Sequence, residues 1–260
     1  MSIKTLIENC EYKNIIHEVD GVFFPLDPNW KRISLSVSGG ADSALLSFLI
    51  CKFITEQCLD IEIHFISNVR MWKTRPWQRQ NSIDVFNWIS SRYTNLAFKR
   101  HENFIAPEIE FGTIGGIIPN QSGKLKGGDQ ISTSSYAEYI CHRESIDAWF
   151  AGITKNPPEE FSSQGMTDRN VETPVDLNQL FMKNNNTWVC HPFRYTTKDW
   201  IIKQYINHKI LDLLKVTRSC EGEFDHLDYK NYTIGQQVPI CGECFWCKER
   251  EWGMKQNGLI

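Results

Sequence analysis

The chain has 260 residues, 41% of them hydrophobic and 12% aromatic, enough to bury the core of one substantial domain with insertions. A formal charge of −3 and a pI near 6.2 give no global cationic field of the kind that grips polyanions, so nucleic acid is not favoured as a partner. The opening MSIKTLIENCEYKN has no continuous apolar run, and no later stretch approaches the roughly 20 apolar residues that span a bilayer. Nine cysteines, an odd number with three in one cluster, suit metal binding better than a disulfide framework, and a cytoplasmic protein is expected.

In chain order, residues 1–30 read as an N-terminal extension. The first clear strand is Arg32 to Val37, which ends in the turn Ser38-Gly39-Gly40. Apolar residues resume at Ala44, Leu45, Leu46, Phe48, Leu49, Ile50 and Phe53, a pattern that suits a buried helix. Ile61 to Ser67 predicts a second buried strand, Ser82 to Tyr93 a helix, Ser134 to Ser145 another helix and Ala148 to Gly152 a short strand. Two irregular stretches, Gly112 to Gly128 with its six glycines and the polar Phe161 to Thr187, are either lids over a site or disordered insertions. A helical pattern from Thr197 to Leu214 follows, with Lys198 in its first turn. The alternation predicts an α/β fold, a mostly parallel, doubly wound sheet with helices on both faces. It forms a nucleotide-binding domain over 31–215, followed by a cysteine-rich segment over 216–260. Ligands of such sheets gather at the carboxyl ends of the strands.

Three clusters carry chemistry. Ser36-Val37-Ser38-Gly39-Gly40-Ala41-Asp42-Ser43 joins a strand to a helix. Glycines there admit an anion close to the backbone, hydroxyls add donors, and the helix N-terminus supplies free N–H groups, so the string reads as a phosphate cradle. The plainer reading is a turn in which Asp42 or Ser43 caps the helix. Cys241, Cys244 and Cys247 stand at two-residue gaps with Cys220 upstream. Four thiolates make a closed tetrahedral site for structural Zn²⁺, the leading reading beside an iron–sulfur cluster or unligated cysteines. Arg70, Arg75 and Arg79 interleave with Trp72 and Trp77 just past the second strand. Guanidiniums pair with carboxylates and indoles stack on planar rings, so an aromatic acid would suit this segment. The alternative is a solvated helix start with its tryptophans packed on the sheet.

The phosphate-loop string resembles the PP-loop ATP pyrophosphatases, whose signature is S-x-S-G-G-x-D-S after the first strand. It differs from a Walker A loop, because no Gly-Lys-Ser/Thr follows. The resemblance implies an adenine nucleotide alpha hydrolase-like fold that binds ATP. Ser36, Ser38, Gly39, Gly40, Asp42 and Ser43 would hold the pyrophosphate that leaves, with Asp42 working with Mg²⁺. Farther on, Thr217, Ser219 and Cys220 match T-x-S-C. Cys241, Gly242, Cys244, Cys247, Arg250 and Gly253 match C-G-x-C-x-x-C-x-x-R-x-x-G. The combination resembles the 7-cyano-7-deazaguanine synthase family of queuosine biosynthesis. That implies zinc on the four cysteines, Lys198 as a catalytic phosphate contact, and conversion of 7-carboxy-7-deazaguanine to its nitrile with ATP and ammonia. The chain departs from that pattern at 68–79, where the family carries Tyr-Gly-Gln, and at 127–132, where it carries Pro-Gly-Arg-Asn.

The expected activity is therefore an ATP-dependent carbon–nitrogen ligase. It adenylates a small acid, releases AMP and pyrophosphate, and takes ammonia or an amine as nitrogen donor. A PP-loop RNA sulfurtransferase with an iron–sulfur cluster and a non-catalytic nucleotide-binding subunit are the alternatives. No membrane partner is expected, and a homodimer is left open.

Overall fold

The computed structural model describes residues 2–70, 77–105, 118–119, 125–126, 128–158, 169, 171, 175–184, 186–220 and 239–260; the side chains of 70, 105, 118–119, 125–126 and 128–135 fall outside that description. Its centre is a six-stranded sheet. In chain order the strands and helices that build it are β3 (Arg32–Ser36), α2 (Ala41–Glu56), β4 (Glu62–Arg70), α3 (Gln78–Arg92), β5 (Phe98–Ile105), α4 (Gly128–Arg143), β8 (Ala148–Ala151), β9 (Phe181–Asn184) and β10 (Thr187–Cys190). Strand order is β5-β4-β3-β8-β10-β9, parallel throughout except for the β9–β10 pair. The fold is α/β and doubly wound, as the strand and helix pattern predicts.

Alternation along β3 shows how the two faces are covered. Ile33 and Leu35 join the main core with α2, whose buried residues from Ala41 to Ile54 lie on nearly every side, as in a fully enclosed helix. Ser34 and Ser36 face the other way: Ser34 Oγ lies 3.7 Å from Cys141 Sγ of α4, and Ser36 Oγ accepts a hydrogen bond from Trp149 Nε1 at 2.7 Å. Ile66, Ala137 and Ile140 form a separate apolar cluster on that side. Asp147, just before β8, ties that strand to the start of β3: its carboxylate accepts from the Lys31 and Arg32 amides at 2.7 and 3.0 Å.

The first 30 residues share this core. They form α1 (Ile3–Glu8) and a hairpin of β1 (Ile16–Val19) and β2 (Val22–Pro25). Phe24 of the hairpin packs edge-on against Phe53 and Phe150. Two-residue strands β6 (Ile118–Pro119) and β7 (Leu125–Lys126) pair within the glycine-rich stretch. The helical pattern from Thr197 to Leu214 is two helices, α5 (Lys198–Asn207) and α6 (Leu211–Val216), because Lys209 between them takes a left-handed φ of 56°. After the cysteines comes α7 (Phe245–Gln256), which packs along α5. No helix among the described residues is long and apolar enough to cross a membrane.

The chain runs from β3 outward to β4 and β5, then returns to β3's other side for β8. The direction of winding reverses between β3 and β8, so a crevice opens at the carboxyl ends of those two strands.

Candidate functional site

A cavity of about 330 Å³ fills that crevice, at the small end of the range for small-molecule sites. Ser36, Ser38, Gly40, Asp42 and Ser43 line it from the loop, Gly152 and Thr154 from beyond β8, and Lys198 from the start of α5. Arg169, Arg218, Ser219, Cys220, Trp77 and Trp246 complete the wall.

The loop is built for close approach. Gly39 has φ +77°, a conformation glycine takes without penalty, and a Cβ there would fall 2.6 Å from Asn81 Cβ. Gly40 is the N-cap of α2 and offers no side-chain cap to the first turn, and Ala41, Asp42 and Ser43 of that turn line the crevice, an arrangement suited to an anion. The serines order the turn among themselves: Ser43 Oγ donates to Gly40 O at 3.1 Å, Ser38 Oγ lies 3.3 Å from Ser43 Oγ, and the Gly40 amide donates to Ser38 Oγ at 3.3 Å. Tyr205 of α5 donates to Ala41 O at 2.7 Å and fixes the helix start; burial pushes its hydroxyl pKa well up, so it stays a donor.

Opposite the loop lies a buried line of alternating charge. Lys198 Nζ donates to Asp42 Oδ1 and Oδ2 at 2.5 and 2.6 Å. It also lies 3.8 Å from Glu249 Oε2, and Glu249 Oε1 accepts from Arg169 Nη2 at 2.5 Å. Arg169 further donates to Thr154 O, Thr154 Oγ1 and Lys155 O at 2.7–2.9 Å. Two cations and two anions balance, which is what allows Lys198, Arg169 and Glu249 to sit at 0–5% side-chain exposure, with Asp42 at 18%. Arg218 ties the third wall to the loop: its amide donates to Gly39 O at 2.9 Å, and its guanidinium stacks 3.8 Å from the centre of the Trp77 ring.

Cys220, Cys241, Cys244 and Cys247 come together with all four sulfurs within 4.8 Å of one another. Cys220 and Cys241 are 3.5 Å apart, and Cys241 and Cys247 are 3.8 Å apart. Four converging thiols are a donor set suited to a metal ion. The cluster borders the cavity through Cys220. It also anchors α7, for which Cys244 is the N-cap. Three residues after Cys247, Arg250 of the same helix donates to Thr217 O and Oγ1 and to Leu214 O at 2.9–3.1 Å.

The structure thus brings the loop residues, Lys198 and, through Cys220, the edge of the cysteine cluster to one crevice. The arginines are distributed differently. Arg79 donates to Glu102 Oε1 and Oε2 at 3.0 and 3.2 Å and is not among the cavity-lining residues. Burial works to raise the Glu102 carboxyl, but the Arg79 and Arg100 guanidiniums beside it hold it below its ordinary value. Arg70 ends β4, with its side chain outside the described residues, and Arg75 lies outside them altogether. Sequence reasoning missed Glu249 and Arg169. Glu249 and Gly253 are four apart and face Lys198 together, a signal readable only once α7 is known to be a helix.

No known family profile and no curated protein matches the chain. Among solved structures it is similar to the U34-tRNA thiolase NcsA from Methanococcus maripaludis with its [4Fe-4S] cluster, at 12% identity and a TM-score of 0.45 over 77% of this chain. The chain spans 62% of that protein's length. It is similar also to phosphoadenylyl-sulfate (PAPS) reductase from Candida auris in its phosphate complex, at 10% identity and a TM-score of 0.39, over 76% of this chain and 89% of the other.

Proposed function

We propose that this protein is an AMP-forming enzyme that adenylates a carboxylate on a small acid and transfers the acyl group to ammonia or an amine. The observation that carries this reading is the shared cavity: a phosphate loop, Lys198 and Asp42 face one crevice at the strand switch point. In the first step a carboxylate oxygen attacks the α-phosphorus of ATP and pyrophosphate leaves. The bare amides at the start of α2 and the loop hydroxyls of Ser36, Ser38 and Ser43 take up the charge that develops on it, and fixed dipoles do so without reorganising. In the second step the nitrogen adds to the acyl carbon and AMP departs with its oxygen, leaving an amide. A nitrile requires a second adenylation, on the amide oxygen, and loss of a second AMP.

Asp42 is the only carboxylate lining the cavity among the described residues, and its side chain keeps 18% exposure. It is the group that would hold the Mg²⁺ of ATP, an ion that adds positive charge at the leaving pyrophosphate. Zinc is our reading for the four cysteines. At a Zn–S length of about 2.3 Å the edge of a sulfur tetrahedron is about 3.8 Å, against sulfur separations of 3.5 and 3.8 Å here. All four sulfurs lie within 4.8 Å of one another, whereas an iron–sulfur cubane inserts four irons and four sulfides between its thiolates and would require these four to move apart.

The acceptor is proposed to be a planar heteroaromatic acid, 7-carboxy-7-deazaguanine being the candidate that the resemblance suggests. Trp246, and the Arg218 guanidinium stacked on Trp77, line the crevice where it would lie. A contact from one of Arg70, Arg75 and Arg79 stays part of the proposal, with Arg79 having to exchange Glu102 for the acid. The experiment is to supply ¹⁸O-carboxylate-labelled 7-carboxy-7-deazaguanine and related heteroaromatic acids with ATP, Mg²⁺ and ammonium, and to read AMP by ³¹P NMR. One ¹⁸O in AMP per amide formed is expected. AMP without label, alongside amide product, would exclude acid adenylation.

A further inference from the structure

Lys198 sits between two carboxylates that hold it unequally. Both oxygens of Asp42 accept from its ammonium at 2.5 and 2.6 Å, whereas Glu249 Oε2 stands off at 3.8 Å. Lys198 and Glu249 are almost fully enclosed, at 2% and 0% side-chain exposure. Arg169 anchors Glu249 through Oε1, while Oε2 accepts no hydrogen bond. A buried carboxylate oxygen without a donor is unfavourable, and it is retained here beside an ammonium one short rotation away. The spacing is set by backbone packing. At Gly253, one helical turn after Glu249, a Cβ would lie 3.0 Å from both Lys198 Cγ and Lys198 O, so α7 rests directly on the lysine.

We infer that Glu249 is a positioning residue: it is the second seat for the Lys198 ammonium, and it releases Asp42 to the divalent cation that arrives with ATP. This rests on the functional reading above, in which Asp42 takes that cation. With both oxygens engaged by Lys198, Asp42 is a poor cation ligand. If Lys198 left Asp42 with nowhere to go, an ammonium would be stranded in the interior. Glu249 Oε2 removes that obstacle. After the shift Lys198 pairs with Glu249, Glu249 keeps Arg169, and Asp42 is free for the cation, so no buried charge loses its partner. No bond is made or broken.

The test is Glu249→Gln, which preserves shape and keeps an oxygen for Arg169. ATP binding is measured by calorimetry in Mg²⁺ and in EDTA, together with the Mg²⁺ concentration that half-saturates AMP formation. The expected result is affinity in EDTA within about twofold of wild type. The gain conferred by Mg²⁺ should fall by about tenfold or more, with a matching rise in Mg²⁺ requirement, the size of one charged hydrogen bond lost. Equal losses with and without Mg²⁺ would reduce Glu249 to a structural role and overturn the inference, as would an unchanged Mg²⁺ requirement. Should the variant not fold, a wild-type crystal structure with Mg²⁺ and a non-hydrolysable ATP analogue decides. Lys198 Nζ on Glu249 Oε2 supports the inference, and Lys198 still on both Asp42 oxygens overturns it. A wild type that binds no Mg²⁺·ATP overturns the functional reading and this inference together. A wild type that makes AMP beside a Glu249→Gln variant with normal Mg²⁺ dependence overturns the inference alone.

Discussion

Gly39→Ala and Gly21→Ala form a matched pair in which one strain is common and one clash is not. Both glycines have positive φ, +77° and +87°. Alanine in that left-handed region costs about 1–2 kcal/mol at either position. At Gly21 nothing lies within 4 Å of the added Cβ, so the cost ends there. At Gly39 the Cβ would meet Asn81 Cβ at 2.6 Å and the backbone of Asn81 and Ser82 at 2.9 Å. Carbon atoms settle at about 3.5 Å or more, so the loop and α3 must part by about 0.9 Å. Forced overpacking of this kind adds about 1–3 kcal/mol. The displacement falls on the cradle itself, because Gly39 O is held by the Arg218 amide and Asn81 Nδ2 donates to Val216 O. A shift near 1 Å in a positioning element lowers turnover by about a hundredfold. Urea denaturation and AMP formation measured on both variants give the answer. Gly39→Ala should lose about 2–5 kcal/mol and most activity, and Gly21→Ala about 1–2 kcal/mol with turnover intact. Equal stabilities and full activity in Gly39→Ala would refute the account of the loop.

The other predictions concern metal, charge and pH. Purified protein should be colourless with one zinc per chain by mass spectrometry, and Cys244→Ala should lose the metal, melt lower and bind ATP more weakly, since the cluster holds the start of α7 and the 217–220 wall; a brown protein absorbing in the visible would contradict this. Lys198→Met should cost about 3–5 kcal/mol in denaturation by leaving Asp42 and Glu249 without their shared cation, and adding Glu249→Gln should recover part of it; a neutral single variant would contradict the charge line. Burial, then Arg194 beside it, pushes the His191 pKa down to about 4. The unfolded chain therefore takes up that proton first as pH falls below about 6.5, and stability present above that value is lost toward pH 4, by about 3 kcal/mol in full. His101, lowered by burial and then by His64, adds in the same sense. Stability flat between pH 7 and 4.5, or a slope unchanged in His191→Phe, would contradict the assignment.

The central strands were legible because strands enclosed on both faces carry runs such as IEIHFIS, and α2 because it is apolar on every side. Edge strand β5 was not: FKRHENFI interleaves Lys99, Arg100, His101 and Glu102, charges that suit an unpaired edge and conceal the period. Strand β9 falls in the stretch that reads as irregular from its polarity, although Asn184 and Asn186 flank the turn into β10. In the site, the glycine–serine loop and the cysteine cluster stand out in the sequence because their residues are close together along the chain. Glu249, Arg169 and Arg218 could not, since each acts through a partner 51 or more residues away or across the insertion, as in the |i−j| of 80 between Arg169 and Glu249. Arg79 reads from sequence as an acceptor contact because its guanidinium suits an acid. The neighbouring strand supplies an acid of its own, Glu102.

The most direct test of the central claim is the fate of ATP labelled separately in its α- and γ-phosphates, with wild-type protein, Mg²⁺, ammonium and the acid panel. Cleavage between the α- and β-phosphates is predicted, giving AMP and intact pyrophosphate in equal amounts, with Asp42→Asn folded but inactive. Release of ADP and single phosphate from the γ-position would contradict the account.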